Sequence, residues 1–71
     1  MTLAEILAQN LKAKRGKLTQ EAFARKLGIS RPTLSRLESA AQNTTISTLE
    51  QIAKALRCHV CDLLKVTMDG K

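Results

Sequence analysis

The segment formed by residues 18–38, LTQEAFARKLGISRPTLSRLE, constrains the fold more than any other part of the chain. Thr19 and Ser30 each precede a helix-forming run, and each can accept a hydrogen bond from a first-turn amide. Gly28 lies between the two runs, where a left-handed residue can end one helix and turn the chain. Pro32 falls in the first turn of the second run, which tolerates its missing N–H. The segment therefore predicts two short helices joined by a tight corner.

The apolar residues of this segment indicate which side of each helix is buried. At about 100° per residue, Leu34 and Leu37 lie on one side of the second helix, which we expect to pack. The opposite side carries Pro32, Ser35, Arg36 and Ser39. The first helix adds Phe23, Ala24 and Leu27 to the same core. One face of the second helix is therefore free to contact another molecule.

Helical spacing of apolar residues extends to both sides of this segment, so we predict an all-α fold in which residues 1–71 form one domain. The five predicted helices cover about residues 3–14, 20–27, 31–39, 48–57 and 60–65. The first helix is predicted to face the core through Leu3, Ile6, Leu7 and Leu11, and the fourth through Leu49, Ile52, Ala53 and Leu56. Ser47, followed three positions later by Glu50, predicts a capping box at the start of the fourth helix.

A resemblance to the phage-repressor and Cro-like family of helix-turn-helix proteins is carried by LTQEAFARKLGISRPTLSRLE. The segments TISTLEQIAKAL and DLL are similar to the fourth and fifth helices of that family, so the resemblance covers residues 3–64. It implies a compact five-helix, lambda-repressor-like DNA-binding domain whose second motif helix enters the major groove. It also implies that Glu38 pairs with a basic residue near the end of the first helix, for which Lys12 is the expected partner.

Positive charge is concentrated in the same part of the chain. Residues 12–36 contain eight Lys and Arg side chains and Glu21 as the one acid, a net charge of +7, whereas the whole chain carries +6. A basic surface of this kind neutralises DNA phosphates, although a merely solvated basic face would carry the same charge. The overlap with the motif favours the phosphate interpretation.

The start of the second motif helix is expected to face the bases. Arg31 and Arg36 are the predicted base readers, because a guanidinium can donate two hydrogen bonds to guanine. Phosphate contacts are the alternative for both arginines. Pro32 and Thr33 are expected to contact thymine methyl groups or the DNA backbone, and Ser35 either reaches a base edge or makes no contact.

Phosphate contacts are expected beside this helix. Gln20 opens the first motif helix at the position where relatives hold a phosphate, and the helix N-terminus assists it. Further phosphate contacts are predicted for Lys17, Asn43, Thr44 and Thr45. The loop AAQNTT lacks basic residues, which predicts modest affinity. Ser39 and Ala40 replace the Asn-Gly pair that commonly ends this helix, so we expect the helix to continue toward Ala41.

A different chemistry is suggested by the CHVC segment at residues 58–61. A structural zinc site usually has four ligands, and this segment supplies three with no second pair elsewhere, so neither a metal nor a cofactor is predicted. We interpret Cys58 and Val60 as small apolar residues between the last two helices, and Cys61 as a partly exposed thiol. A thiol or metal sensor that uses Cys58, His59 and Cys61 is the alternative hypothesis.

Several function classes are disfavoured. No set of nucleophile, base and orienting group is apparent, so an enzyme is not expected. Phe23 is the single aromatic residue, which argues against stacking of RNA or single-stranded bases. We expect a cytoplasmic transcription regulator of the repressor type, without a membrane span, that binds double-stranded DNA sequence-specifically as a homodimer on a pseudo-palindromic operator. The predicted dimer interface lies within residues 47–71, at Val60, Leu63, Leu64, Val66 and Met68. The alternative is an antitoxin that binds a toxin protein and represses its own operon.

Overall fold

The computed structural model describes residues 2–40 and 44–66 of the chain. Over these residues it contains helices and no strand, which confirms the predicted all-α fold class. The helices are α1 (Leu3–Arg15), α2 (Gln20–Leu27), α3 (Arg31–Glu38), α4 (Ile46–Leu56) and α5 (Val60–Leu63). The longest described helix, α1, has 13 residues, fewer than the roughly 20 that a membrane-spanning helix needs. The predictions made for Asn43 and Met68 lie outside the described residues.

Side-chain caps start the first three helices. Thr2 and Glu5 form a capping box at α1, and the backbone N–H of Thr2 donates to Glu5 Oε1 at 2.8 Å. This hydrogen bond holds the pKa of the Glu5 carboxyl below its usual value. Thr19 Oγ1 accepts from the Ala22 amide at 3.0 Å, and Ser30 Oγ accepts from the Thr33 amide at 3.2 Å. The two caps predicted for the motif helices are therefore confirmed.

The corner between α2 and α3 forms at Gly28, as predicted. Gly28 has φ +75° and ψ +27°, a left-handed conformation that favours glycine. A Cβ added there would lie 2.9 Å from Gln51 Nε2, so a larger residue would displace the end of that side chain. Gln51 Nε2 donates to the carbonyl of Gly28 at 2.8 Å and to that of Leu27 at 3.3 Å. A side chain of α4 thus holds the corner in place.

The start of α4 differs from the prediction. The helix begins at Ile46, and Thr45 Oγ1 accepts from the Thr48 amide at 3.1 Å. Ser47 lies inside the helix, so the predicted capping box of Ser47 with Glu50 is wrong. Thr45 supplies an equivalent hydroxyl two residues earlier, and the helix gains two residues at this end.

The core is built from one side of each helix. Its buried members are Leu7, Leu11, Phe23, Ala24, Leu27, Leu34, Leu37, Leu49, Ile52, Ala53 and Leu63. Of the predicted stripes of α1 and α4, Ile6 is also buried and Leu56 packs partly buried against this core. Leu3 is the exception, because it is 65 % exposed. As the first residue of α1, Leu3 lies at the edge of the core and borders an open apolar groove instead. The apolar groove is lined by Leu3, Ala4, Leu7, Leu37, Thr44, Leu49 and Leu64.

A side chain of α1 caps the end of α5. Asn10 Nδ2 donates to the carbonyl of Leu63 at 2.6 Å and to that of Lys65 at 3.0 Å. The last carbonyls of a helix have no partner within the helix, so an external donor stabilises its end. The helix ends at Leu63, so the predicted fifth helix, to residue 65, is too long by two residues.

The end of α3 also differs from the prediction. The helix stops at Glu38, and Ser39 Oγ donates to the carbonyl of Arg36 at 3.0 Å. Ala40 follows with φ +58°, in the left-handed region. The expectation that the helix continues toward Ala41 is thus wrong, because the serine hydroxyl satisfies a carbonyl of the last turn and the chain leaves the helix at Ala40.

Replacing Ala40 with glycine is expected to raise the free energy of unfolding by about 0.5–1 kcal/mol, since an L side chain is strained at φ > 0. Urea denaturation followed by circular dichroism measures it. The matched control is Ala13→Gly on the exposed surface of α1, where glycine relieves no strain and should lower the stability by about 0.5–1 kcal/mol. Destabilisation by both substitutions would contradict the strain at Ala40.

Candidate nucleic-acid interface

The helix α3 has two distinct sides. Leu34 and Leu37 are buried in the core. The other side is open to solvent at Arg31, Pro32, Ser35 and Arg36. Thr33 is partly buried. The five residues predicted to contact bases therefore share the first turns of one helix, and four of them are exposed.

A buried carboxylate lies at the end of this helix. Glu38 is 3 % exposed, and its Oε2 accepts from Arg15 Nε at 2.9 Å. Arg15 Nη1 also donates to the carbonyl of Leu18 at 2.9 Å. The predicted pairing of Glu38 with Lys12 is therefore wrong. Arg15 is the last residue of α1 and reaches both Glu38 and the following turn, whereas Lys12 is exposed one turn earlier.

The same carboxylate fixes the side chain of Gln20. Gln20 Nε2 donates to Glu38 Oε1 at 3.1 Å, so Glu38 connects the end of α1, the start of α2 and the end of α3. A carboxamide has two N–H donors, and this contact uses one of them. Gln20 can still donate to a phosphate, and its orientation is set by Glu38. Sequence reasoning missed this hydrogen bond because the two residues are 18 positions apart.

Hydroxyl pairs occupy the first turns of α3 and α4. Ser30 Oγ and Thr33 Oγ1 lie 2.7 Å apart, and Thr45 Oγ1 and Thr48 Oγ1 lie 3.1 Å apart. Thr45 is exposed at the start of α4, and Thr44 before it is partly buried. These pairs cap the helices without adding charge.

Most of the basic side chains are available to a ligand. Arg15 is held by Glu38, and Arg25 Nη2 lies 3.7 Å from Glu21 Oε2 in a pair that is exposed on both sides. Such an exposed pair contributes little to stability and is easily exchanged. The exposed basic side chains of residues 12–36 are Lys12, Lys14, Lys17, Arg25, Lys26, Arg31 and Arg36.

The cysteines occupy the positions expected for them. Cys58 and Val60 are partly buried against the core, and Cys61 is exposed. Both thiols are free. Within residues 2–40 and 44–66, no three His, Cys, Asp or Glu side chains lie close enough to hold a metal ion.

The residues predicted for a dimer interface fall into two groups. Leu63 is fully buried in the core of this chain, which leaves it no surface to offer a second copy, so it is removed from the predicted interface. Val60 and Leu64 are partly buried, and Val66 is 50 % exposed. Leu64 lines the apolar groove, which opens next to the end of α5.

Comparisons with known proteins agree with this geometry. A family model described as helix-turn-helix matches residues 11–63. The plasmid copy control protein CopR of Streptococcus agalactiae is 46 % identical over 46 residues, which are 65 % of this chain and 50 % of CopR. The control protein C.SmaI of Serratia marcescens is 39 % identical over 66 residues, which are 90 % of this chain and 79 % of that protein.

The matched part spans half the length of CopR and most of C.SmaI. No solved structure gives a significant match. The family model covers most of the chain, including α2, the corner at Gly28 and α3. The chain belongs to the helix-turn-helix family.

Proposed function

We propose that this protein is a transcription regulator that binds double-stranded DNA sequence-specifically, with α3 in the major groove. The observation that carries the proposal is the two-sided character of α3. Leu34 and Leu37 anchor it in the core while Arg31 and Arg36 are exposed. The names of the two relatives, a copy control protein and a control protein, support a regulatory role.

Base reading is assigned to the exposed side of α3. Arg31 and Arg36 each offer a planar fork of donors that fits the O6 and N7 atoms of guanine. Pro32, Thr33 and Ser35 complete the same surface. Because α3 ends at Glu38, the reading unit is a short helix of eight residues with both arginines on it.

Phosphate contacts position this helix. Gln20 stands at the start of α2, where its remaining N–H and the free amides of the first turn suit an anion. Lys17 precedes it in an exposed turn, and Thr44 and Thr45 lie before α4. Asn43, outside the described residues, belongs to the same proposed set. Because the loop between α3 and α4 contains no charged residue, the affinity depends mainly on the basic side chains of residues 12–36.

A dimer is proposed because an eight-residue helix reads only a few base pairs, and two-fold related helices read an inverted repeat. The proposed interface uses Val60, Leu64 and Val66, with Met68 beyond the described residues. Val66, at 50 % exposure, is one of four exposed large hydrophobic residues in the described part of the chain. Burying it against a second copy removes apolar surface from water. Occupancy of a promoter by such a dimer gives repression.

The proposal is tested by selecting binding sites from a random duplex library at low and at near-physiological salt. We expect an inverted repeat whose half-sites are centred about 10 base pairs apart. Salt-sensitive recovery without a common sequence would contradict sequence-specific reading and leave only a basic surface. That result, together with a copurifying partner protein, would favour the antitoxin alternative.

The proposed dimer is tested by a variant in the same selection experiment. Val66→Glu places a charge in the proposed interface without touching α3, and it should yield single half-sites where the unchanged protein yields the repeat. Sedimentation velocity of both proteins should show a monomer for the variant. A variant that still selects the full repeat and sediments as a dimer would place the interface elsewhere.

A further inference from the structure

Within residues 2–40 and 44–66, Glu38 is the one buried residue with a charged or polar side chain. A buried carboxylate costs stability unless donors satisfy it, and an apolar residue of similar volume often packs as well or better. Packing alone therefore does not explain a carboxylate at the end of α3. The contacts of its two oxygen atoms indicate a further role.

The carboxylate of Glu38 is shared between donors from two different helices. A guanidinium can bind both oxygens of one carboxylate. Here Arg15 donates through Nε to Oε2 and through Nη1 to the carbonyl of Leu18, while Oε1 accepts from Gln20 Nε2 at 3.1 Å. Glu38 thus uses one oxygen to hold the end of α1 and the other to hold the first side chain of α2.

The contact with Glu38 determines how the amide of Gln20 is oriented. An ionised carboxylate only accepts hydrogen bonds, so it must face the nitrogen of the carboxamide and not its oxygen. Gln20 is the first residue of α2 and is partly buried. A glutamine side chain loses much conformational freedom when it is ordered. Because Glu38 orders Gln20 in the free protein, DNA binding does not have to bear that entropic cost.

We infer that Glu38 is a positioning residue for DNA binding, which acts through Gln20 by holding its amide in place for a phosphate. The inference rests on the proposed function, because Gln20 is a proposed phosphate contact. A phosphate contact carries no sequence information, so the effect should be the same on selected and on random duplexes. Charge alone predicts the opposite sign, because neutralising a carboxylate strengthens the attraction to phosphates.

The test combines Glu38→Gln with Gln20→Ala and measures the affinity of each variant for the selected operator and for a random duplex. Glu38→Gln should weaken binding to both duplexes by about 2- to 10-fold per protomer, the cost of ordering one free side chain. Gln20→Ala should weaken binding at least as much. Adding Glu38→Gln to Gln20→Ala should cause no further loss, because the residue through which Glu38 acts is then missing.

The matched control is Glu21→Gln, which removes the same charge from an exposed position next to Gln20 and should not weaken binding to either duplex. Unchanged or tighter binding by Glu38→Gln, no loss in Gln20→Ala, or additive losses in the double variant overturn the inference and leave the proposed function intact. A library selection without any common sequence would contradict sequence-specific regulation, whereas the random duplex would still report on Glu38.

A second measurement needs no variant. In the unchanged protein without DNA, the NMR order parameter of the Gln20 side-chain amide should approach that of a rigid backbone, about 0.85. In Glu38→Gln it should fall below about 0.6, the range of flexible groups. Thermal unfolding checks that this variant is folded at the temperature of the measurements. A flexible Gln20 amide in the unchanged protein would contradict the inference whatever the variants do.

Discussion

Replacing Arg15 with methionine is expected to lower the free energy of unfolding by about 3 kcal/mol. Glu38 is 3 % exposed, and without Arg15 its charge keeps only the hydrogen bond from Gln20. The Arg15 side chain is 26 % exposed, so solvent screens part of the interaction and the effect lies at the lower end for a buried pair. A domain of this size has roughly 4–10 kcal/mol of stability, so the loss is a large share of it. Urea denaturation measures the change.

Two controls distinguish the ion pair from a general effect of charge. Lys12→Met removes the same charge from the exposed side of α1 and should change the stability by less than about 0.5 kcal/mol. Glu38→Gln in the Arg15→Met background neutralises the buried group and should restore at least half of the lost stability. Equal losses in Arg15→Met and Lys12→Met, or no recovery in the double variant, would be incompatible with a stabilising pair at Glu38.

The motif itself was predictable because its signals are local. Thr19 and Ser30 bond to amides three residues away, and Gly28 adopts the left-handed conformation that the sequence position favours. The bounds of α2 follow directly from these residues. The helical spacing of Leu34 and Leu37 likewise identified the buried side of α3, and hence the exposed one.

The remaining details depend on contacts between distant parts of the chain. The way in which α1 crosses the end of α3 decides whether Lys12 or Arg15 reaches Glu38. The spacing of apolar residues along each helix gives no information about this crossing. The roles of Asn10 at the end of α5 and Gln51 at Gly28 also join residues far apart in sequence. Isolated Asn and Gln side chains give no pattern by which such contacts can be found.

The differences at helix ends have a common cause. Several hydroxyl residues near a helix end compete to cap it, and local pattern does not rank them. Thr45 acts in place of Ser47 at α4, and Ser39 stops α3 although Ala40 must then take a positive φ. The burial of Leu63 was also missed, for a different reason. With four residues, α5 is too short for the sequence to separate a buried face from an exposed face.

Arg36→Ala is expected to weaken binding to the selected operator by about 5- to 150-fold per half-site, the range for losing one bidentate base contact. Arg36 is exposed on the side of α3 that faces away from the buried Leu34 and Leu37. Its replacement should therefore leave the fold unchanged. The preference at one base position of each half-site should relax, which a second library selection with the variant would reveal.

A base contact differs from a phosphate contact in how it responds to random DNA. Lys26→Ala removes an equal charge from an exposed position on α2 and should weaken selected and random duplexes alike. Gln20→Ala, at the proposed phosphate contact, should also weaken both about equally. The contrary result is that Arg36→Ala weakens binding to the operator and to random DNA by the same factor, as these two substitutions do. In that case Arg36 would be a phosphate contact, and Arg31 and the first turn of α3 would be left to read the bases.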